Sequence, residues 1–223
     1  MRWSVCGVIA LASFTALGAI VAGRPPLAAD LGAAALFFDR GTEAAWWFTQ
    51  SGYGLALSVT GLLALGVAVV LRSGVSGVVL TLVAQGCSQA TAALFKLLFA
   101  RPRPLHWLIH HESGFSYPSG HAVTAVVFYG GLAAVAANSP LPLGIRRLVA
   151  FALAGWAIGV AWSRVALGAH NVTDVLGGLL FGATWFSLVR AIERARVARS
   201  EPKPAVRDIS RDGIGTTATG FPL

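Results

Sequence analysis

Charge is scarce in this chain of 223 residues: charged side chains make up 12% of it and hydrophobic ones 56%. A soluble domain carries about 25% charged residues, and the mean hydropathy of +0.70 points the same way. The solvent of most of the chain is therefore lipid. Cysteine is almost missing. Cys6 and Cys87 lie far apart in apolar runs, without metal-ligand spacing, and read as two small buried residues. No internal repeat is evident. There is also no basic stripe interleaved with aromatics, so the net charge of +8 does not point to nucleic acid. The length suits one domain.

What the chain does have is apolar runs. A spanning helix needs about 20 mostly apolar residues, and six stretches qualify or nearly do: Trp3–Ala22, Tyr53–Leu71, Val75–Phe99, Gly120–Ala137, Arg147–Trp162 and Asn171–Val189. The first has the basic start and small-residue end of a signal peptide, but the alternation of the others requires it as an uncleaved span. Between the first two spans, Arg24–Gln50 mixes Asp30, Asp39, Arg40 and Glu43 with Leu36, Phe37, Phe38, Trp46, Trp47 and Phe48. This predicts a short amphipathic helix in the membrane interface, with the Trp pair at headgroup level. Gly177 and Gly178 permit close helix packing.

Loop charge sets the orientation. With the N-terminus in the cytoplasm, Arg2, Arg72, Arg146, Arg147 and the tail residues Arg190, Arg194, Arg196, Arg199, Lys203, Arg207 and Arg211 lie inside. Arg24, Arg40, Lys96, Arg101, Arg103 and Arg164 lie outside. That excess of inside positive charge predicts two cytoplasmic termini in the plasma membrane. The expected organisation is one membrane domain over residues 1–199, with a core at about 75–190, and a disordered cytoplasmic tail over 200–223.

Ionisable residues near a membrane are functional candidates by default, and here they form three clusters. Lys96 to Pro104 ends the third span. Pro118-Ser119-Gly120-His121 opens the fourth. Ser163-Arg164, His170 and Asp174 bridge the fifth and sixth. The topology puts all three at one membrane side. Lys96, Arg103 and Arg164 match the oxygens of a phosphate-like anion. Ser119 and Gly120 open a helix, where N–H groups favour an anion and Gly120 lets the backbone come close. Two histidines suit phosphoryl transfer, one to attack phosphorus and one to protonate the leaving oxygen. Asp174 follows His170 by one helical turn, within reach of one imidazole nitrogen, and so can fix the tautomer. His121 has no such partner in sequence, which suits an acid.

Together these residues resemble the signature of the type 2 phosphatidic acid phosphatase family: Lys, six residues, Arg-Pro; Pro-Ser-Gly-His; Ser-Arg, five residues, His, three residues, Asp. Every fixed position and both internal spacings match. The resemblance implies an all-α bundle of six transmembrane spans, with the haloperoxidase-like helical fold. It implies that Lys96, Arg103, Arg164, Ser119 and Gly120 bind phosphate. His170 would form a phosphohistidine, oriented by Asp174, with His121 as acid and then base. It further implies no cofactor and no metal. The expected activity is hydrolysis of a membrane lipid phosphate or pyrophosphate. Undecaprenyl pyrophosphate comes first as substrate, followed by phosphatidylglycerol phosphate, phosphatidic acid and diacylglycerol pyrophosphate.

Rival readings are weaker. The vanadate-dependent haloperoxidases share such a site but are soluble. A phosphotransferase would use the same phosphohistidine, and a non-catalytic lipid-binding or transport protein would not need both histidines. His106, His110, His111 and Glu112 read as solvent-facing loop residues rather than metal ligands, and Ser163 as a helix-end hydroxyl. Arg101 is open between a headgroup contact, a supporting role and plain exposure. Trp107 and Tyr117 could flank a lipid chain or belong to an aromatic belt. The oligomeric state is not readable from sequence.

Overall fold

The computed structural model describes residues 2–105, 108 and 113–200. Among them every regular element is helical. Helix α1 (Arg2–Val21) is followed by two short helices, α2 (Ala28–Phe37) and α3 (Thr42–Gln50), and then by α4 (Gly54–Val70) and α5 (Val75–Phe99). The next span, Gly120–Ala137, is α6 (Gly120–Thr124), a π-helical stretch (Ala125–Gly130) and α7 (Gly131–Ala137). Helices α8 (Leu143–Ala166) and α9 (Val172–Ser200) complete the fold. Five spans are long and apolar enough to cross a membrane; α3 and α4, bent by 62° to one another, make a sixth when taken together.

Three expectations need correction. The fifth span is longer than 147–162. The apolar Leu143–Ile145 start lets the arginines at 146 and 147 sit inside the first turns, and Ser163 and Arg164 are absorbed by burial at the other end. The sixth continues through the basic residues to Ser200, because Ala, Arg and Glu are good helix formers once a helix is running. The interfacial segment is two helices, broken where Asp39 and Gly41 take positive φ. The expected tail, 200–223, lies almost wholly outside the described residues.

Outward faces are apolar. Leu55, Leu62, Val70, Leu97, Phe151 and Ile158 are all exposed, a density of apolar surface that a soluble monomer rarely tolerates. Cys6 and Cys87 are free and exposed on the same kind of surface, not buried as expected. With one face committed to lipid, the inner face is packed through glycines and rings. A Cβ on Gly177 would fall 2.1 Å from the Tyr117 ring, and one on Gly178 2.5 Å from the Ser119 carbonyl. Phe14 of α1 stacks on Tyr117 with centroids 5.5 Å apart. The Tyr117 hydroxyl donates to the Phe14 carbonyl at 2.7 Å. Burial, reinforced by the Asp174 charge, raises that phenol above its ordinary range, so it stays a donor. Tyr117 is thus a core residue rather than an interfacial one.

Antiparallel alternation of the spans brings the ends of α1, α5 and α8 and the starts of α4, α6 and α9 to one end of the bundle. Helices α2 and α3 lie there as well. A backbone bond from Gly23 to the Phe99 carbonyl, 2.9 Å, ties two of these ends together.

Candidate functional site

The end of α5 is the first element that shapes the site. Ala100 holds a left-handed conformation (φ 46°) while its N–H still bonds the Lys96 carbonyl at 2.9 Å. A residue with a Cβ pays roughly 1–2 kcal/mol there. Pro102 and Pro104 then keep the chain extended. The sharp stop turns Arg101 inward and lets Arg103 reach the loop between α8 and α9.

That loop is made by Gly168, at φ 70°. It returns the chain so that the His170 N–H bonds the Arg164 carbonyl at 3.1 Å. Arg103 Nη1 lies 3.1 Å from His170 Nε2. A guanidinium can only donate, so Nε2 carries the lone pair and Nδ1 the proton. Nδ1 faces Asp174 Oδ2 at 3.6 Å and Ser116 Oγ at 3.4 Å. The carboxylate thus orients the ring at ion-pair distance, with the Ser116 hydroxyl bonded to the same Oδ2. Asp174 Oδ2 also accepts the Asn171 N–H at 2.8 Å, closing the start of α9.

The second imidazole is held differently. His121 Nε2 lies 3.1 Å from the Thr49 carbonyl of α3. A carbonyl only accepts, so this nitrogen carries a proton. The Tyr53 ring meets the imidazole edge-on at 4.7 Å, and a Cβ on Gly52 would come within 2.3 Å of its Cδ2. The Thr49 hydroxyl accepts from Arg164 Nη1. One residue therefore holds both His121 and Arg164.

The remaining predicted residues fall around these two. Lys96 Nζ donates to the Phe115 carbonyl at 2.9 Å, next to Ser116. Arg103 Nε donates to the Gly114 carbonyl at 3.0 Å. Ser119 is fully buried, and its N–H is taken by the Asp174 carbonyl at 3.0 Å, leaving its hydroxyl without a partner among the described residues. Gly120 is pressed against Gln89, whose Nε2 bonds the Gly120 carbonyl at 3.0 Å. Ser163 Oγ closes on the Val160 carbonyl at 2.7 Å, a helix-end contact as expected. Trp107, His106, His110, His111 and Glu112 lie outside the described residues.

Residues that sequence reasoning missed are Asp30, Thr49 and Ser116, and it left Arg101 undecided. Arg101 is fully buried, bonded to Asp174 Oδ1 at 2.6 Å and to Asp30 Oδ2 at 2.7 Å. Asp30 carried a signal: it is the one charge in the apolar Ala28–Phe37 helix, and a lone charge there needs a partner. Thr49 and Ser116 carried none, since their roles depend on contacts across the fold.

Beside His170 and Arg103 opens a cavity of about 490 Å³, also lined by Leu31 and Ala34 of α2 and by Phe38 just beyond it. Fold and site together define a polytopic helical membrane protein with a cationic, imidazole-bearing pocket at one end of its spans. The chain belongs to the PAP2 superfamily, whose model matches residues 61–198. It is 36% identical over 115 residues to phosphatidylglycerophosphatase B of Bacillus subtilis, covering 51% of this chain and 57% of that one. It is 39% identical over 115 residues to a lipid A 1-phosphatase of Rhizobium johnstonii, covering 47% and 43%. The match thus spans about half the length of these relatives. In structure it resembles a transmembrane PAP2-type phosphatidylglycerolphosphate phosphatase from Bacillus subtilis, with a TM-score of 0.75 and 27% identity over 85% of this chain and 96% of that one.

Proposed function

We propose that this protein is a membrane lipid phosphate phosphatase working through a phosphohistidine on His170. The observation that carries this reading is the pairing of Arg103 with Nε2 of a ring whose other nitrogen faces Asp174. A nucleophilic lone pair therefore points at a cation able to hold a phosphate oxygen. Nε2 attacks phosphorus, the bond from phosphorus to the leaving oxygen breaks, and His121 gives that oxygen its proton. His121 then takes a proton from water; the water oxygen attacks phosphorus, the N–P bond breaks and inorganic phosphate leaves. Lys96, Arg103 and Arg164 stabilise charge on the transferring group. Ser119 and Gly120 complete the cradle. No step uses a metal.

The word lipid rests on the setting. The cavity joins an anion-binding end to an apolar wall, as a phosphate on a hydrocarbon tail requires, and the relatives' names are those of lipid phosphatases. Undecaprenyl pyrophosphate heads the substrate panel, with phosphatidylglycerol phosphate and phosphatidic acid next. The basic residues at the opposite end of the bundle support an extracytoplasmic site in the plasma membrane with both termini in the cytoplasm. The test is phosphate release by purified protein across that panel, with EDTA present and absent. Release from a lipid phosphate that EDTA does not reduce supports the reading, and no release from any member defeats it. Labelling of a cysteine placed at Gly114 by a membrane-impermeant reagent in intact cells tests the sidedness.

A further inference from the structure

Behind Asp174 lies a charge cluster that the reaction as written does not use. Arg101 sits between two carboxylates, Asp174 of α9 and Asp30 of α2, and all three side chains have no exposed surface. Its Nη1 also donates to Thr173 Oγ1 at 2.6 Å. Asp30 Oδ1 accepts the Thr173 N–H at 2.9 Å and its hydroxyl at 2.8 Å. Each carboxylate also closes the start of its own helix: Asp30 Oδ2 accepts the Leu27 N–H at 2.9 Å, as Asp174 Oδ2 accepts that of Asn171. The guanidinium thus joins two helix starts, one carrying His170's partner and the other forming a wall of the cavity.

We propose that Arg101 and Asp30 are positioning residues for His170, with Arg101 fixing the Asp174 carboxylate and Asp30 drawing part of the guanidinium charge away from it. This rests on the assignment of His170 as nucleophile. The cluster holds two negative charges and one positive, so one negative charge is left over to face the imidazole. Without Asp30, Arg101 would neutralise Asp174 and its support for a positively charged ring would weaken. Without Arg101, Asp174 would face the ring with its charge unopposed and its orientation less fixed. A cluster that only held α2 in place would be indifferent to this balance.

Among the described residues, charged groups that face His170 include Asp174 and Arg103, with Arg101 and Asp30 behind. Arg164 of α8 meets it through the backbone, and Lys96 of α5 and His121 of α6 belong to the same end of the bundle. All except the substituted group are common to the proteins compared, as is the substrate's own titration.

The test measures kcat and KM against pH for the full chain, Asp30→Asn, Arg101→Gln and Arg101→Lys, with phosphatidic acid in detergent micelles and folding checked by thermal unfolding. Attack needs a neutral ring, so the acid limb of the profile reports loss of the His170 proton. Asp30→Asn moves that limb to lower pH and Arg101→Gln moves it to higher pH, each by about half a unit or more. Arg101→Lys leaves it in place. In Arg101→Gln, kcat falls about tenfold or more while KM stays within about threefold, an order of magnitude set by the loss of ring orientation. Limbs that stay put or move together in folded protein overturn the proposal, as does a change confined to KM. Should Asp30→Asn not fold, the contrast between Arg101→Gln and Arg101→Lys decides it. His170→Ala separates the two ideas: activity there removes the nucleophile, whereas an inactive His170→Ala with unmoved limbs removes only the positioning role.

Discussion

His170 and His121 are held by different contacts. His170 is built into ions: Arg103 on one nitrogen, Asp174 toward the other, Arg101 and Asp30 behind. His121 is held by a peptide carbonyl, an aromatic edge and a glycine. The difference follows from what each must do in the proposed reaction. A nucleophile needs one tautomer and a counter-charge for the cation it becomes when phosphorylated. An acid that later acts as base must gain and lose a proton, which a bond to a peptide carbonyl permits.

The largest effects test this asymmetry directly. His170→Ala removes phosphate release altogether and leaves no phosphorylated protein in an alkaline quench, which preserves a P–N bond. His121→Ala lowers turnover by about 10²–10⁴-fold but accumulates phosphorylated protein when the leaving group is an activated aryl oxide that needs no acid. Label retained in both variants, or in neither, would abolish the division of labour. Next comes Thr49→Val, which takes the hydroxyl from Arg164 while keeping the carbonyl that holds His121. Loss of a hydrogen bond to a buried charge is worth about 1.5–3 kcal/mol, so kcat/KM drops about tenfold or more; Thr49→Ser restores it. Gly52→Ala crowds the His121 ring first. It slows release from lipid substrates by about tenfold, within the reach of a displaced acid, yet spares phosphorylation by the aryl substrate. The smallest effect falls on Tyr117→Phe, which removes one bond to Phe14. It costs about 1 kcal/mol of thermal stability and leaves kcat alone, because the hydroxyl bonds the Phe14 carbonyl of α1 rather than either histidine.

Much of this is legible in the amino-acid order alone. Apolar runs locate the spans, and the spacing of Lys96, Arg103, His121, Arg164, His170 and Asp174 locates the pocket, since both signals are local and carried by composition. The supports are not legible in that way. Arg101 and Asp30 are 71 positions apart, and Thr49 and Arg164 are 115 apart. The lone charge of Asp30 in an apolar helix announces a partner without saying which, and nothing around Thr49 announces its bond to Arg164. Span ends are misjudged for a related reason: the arginines at 146, 147 and 164 look like loop residues to a hydropathy window but are accommodated by helix ends and by burial. The lipid-facing Cys6 and Cys87 show a further limit, because in a membrane an apolar neighbourhood does not mean an interior.

The segment from Asp30 to Thr49 lies ahead of residue 61, where the match to the superfamily model begins. The residues that the family model matches and the residues that support the pocket therefore have different borders. A chimera joined at the homology border would inherit every signature residue and yet come without the carboxylate behind Arg101 and the carbonyl beneath His121. Its donor would have to supply both from its own N-terminal part. The portable unit of this pocket thus begins some thirty residues ahead of that match.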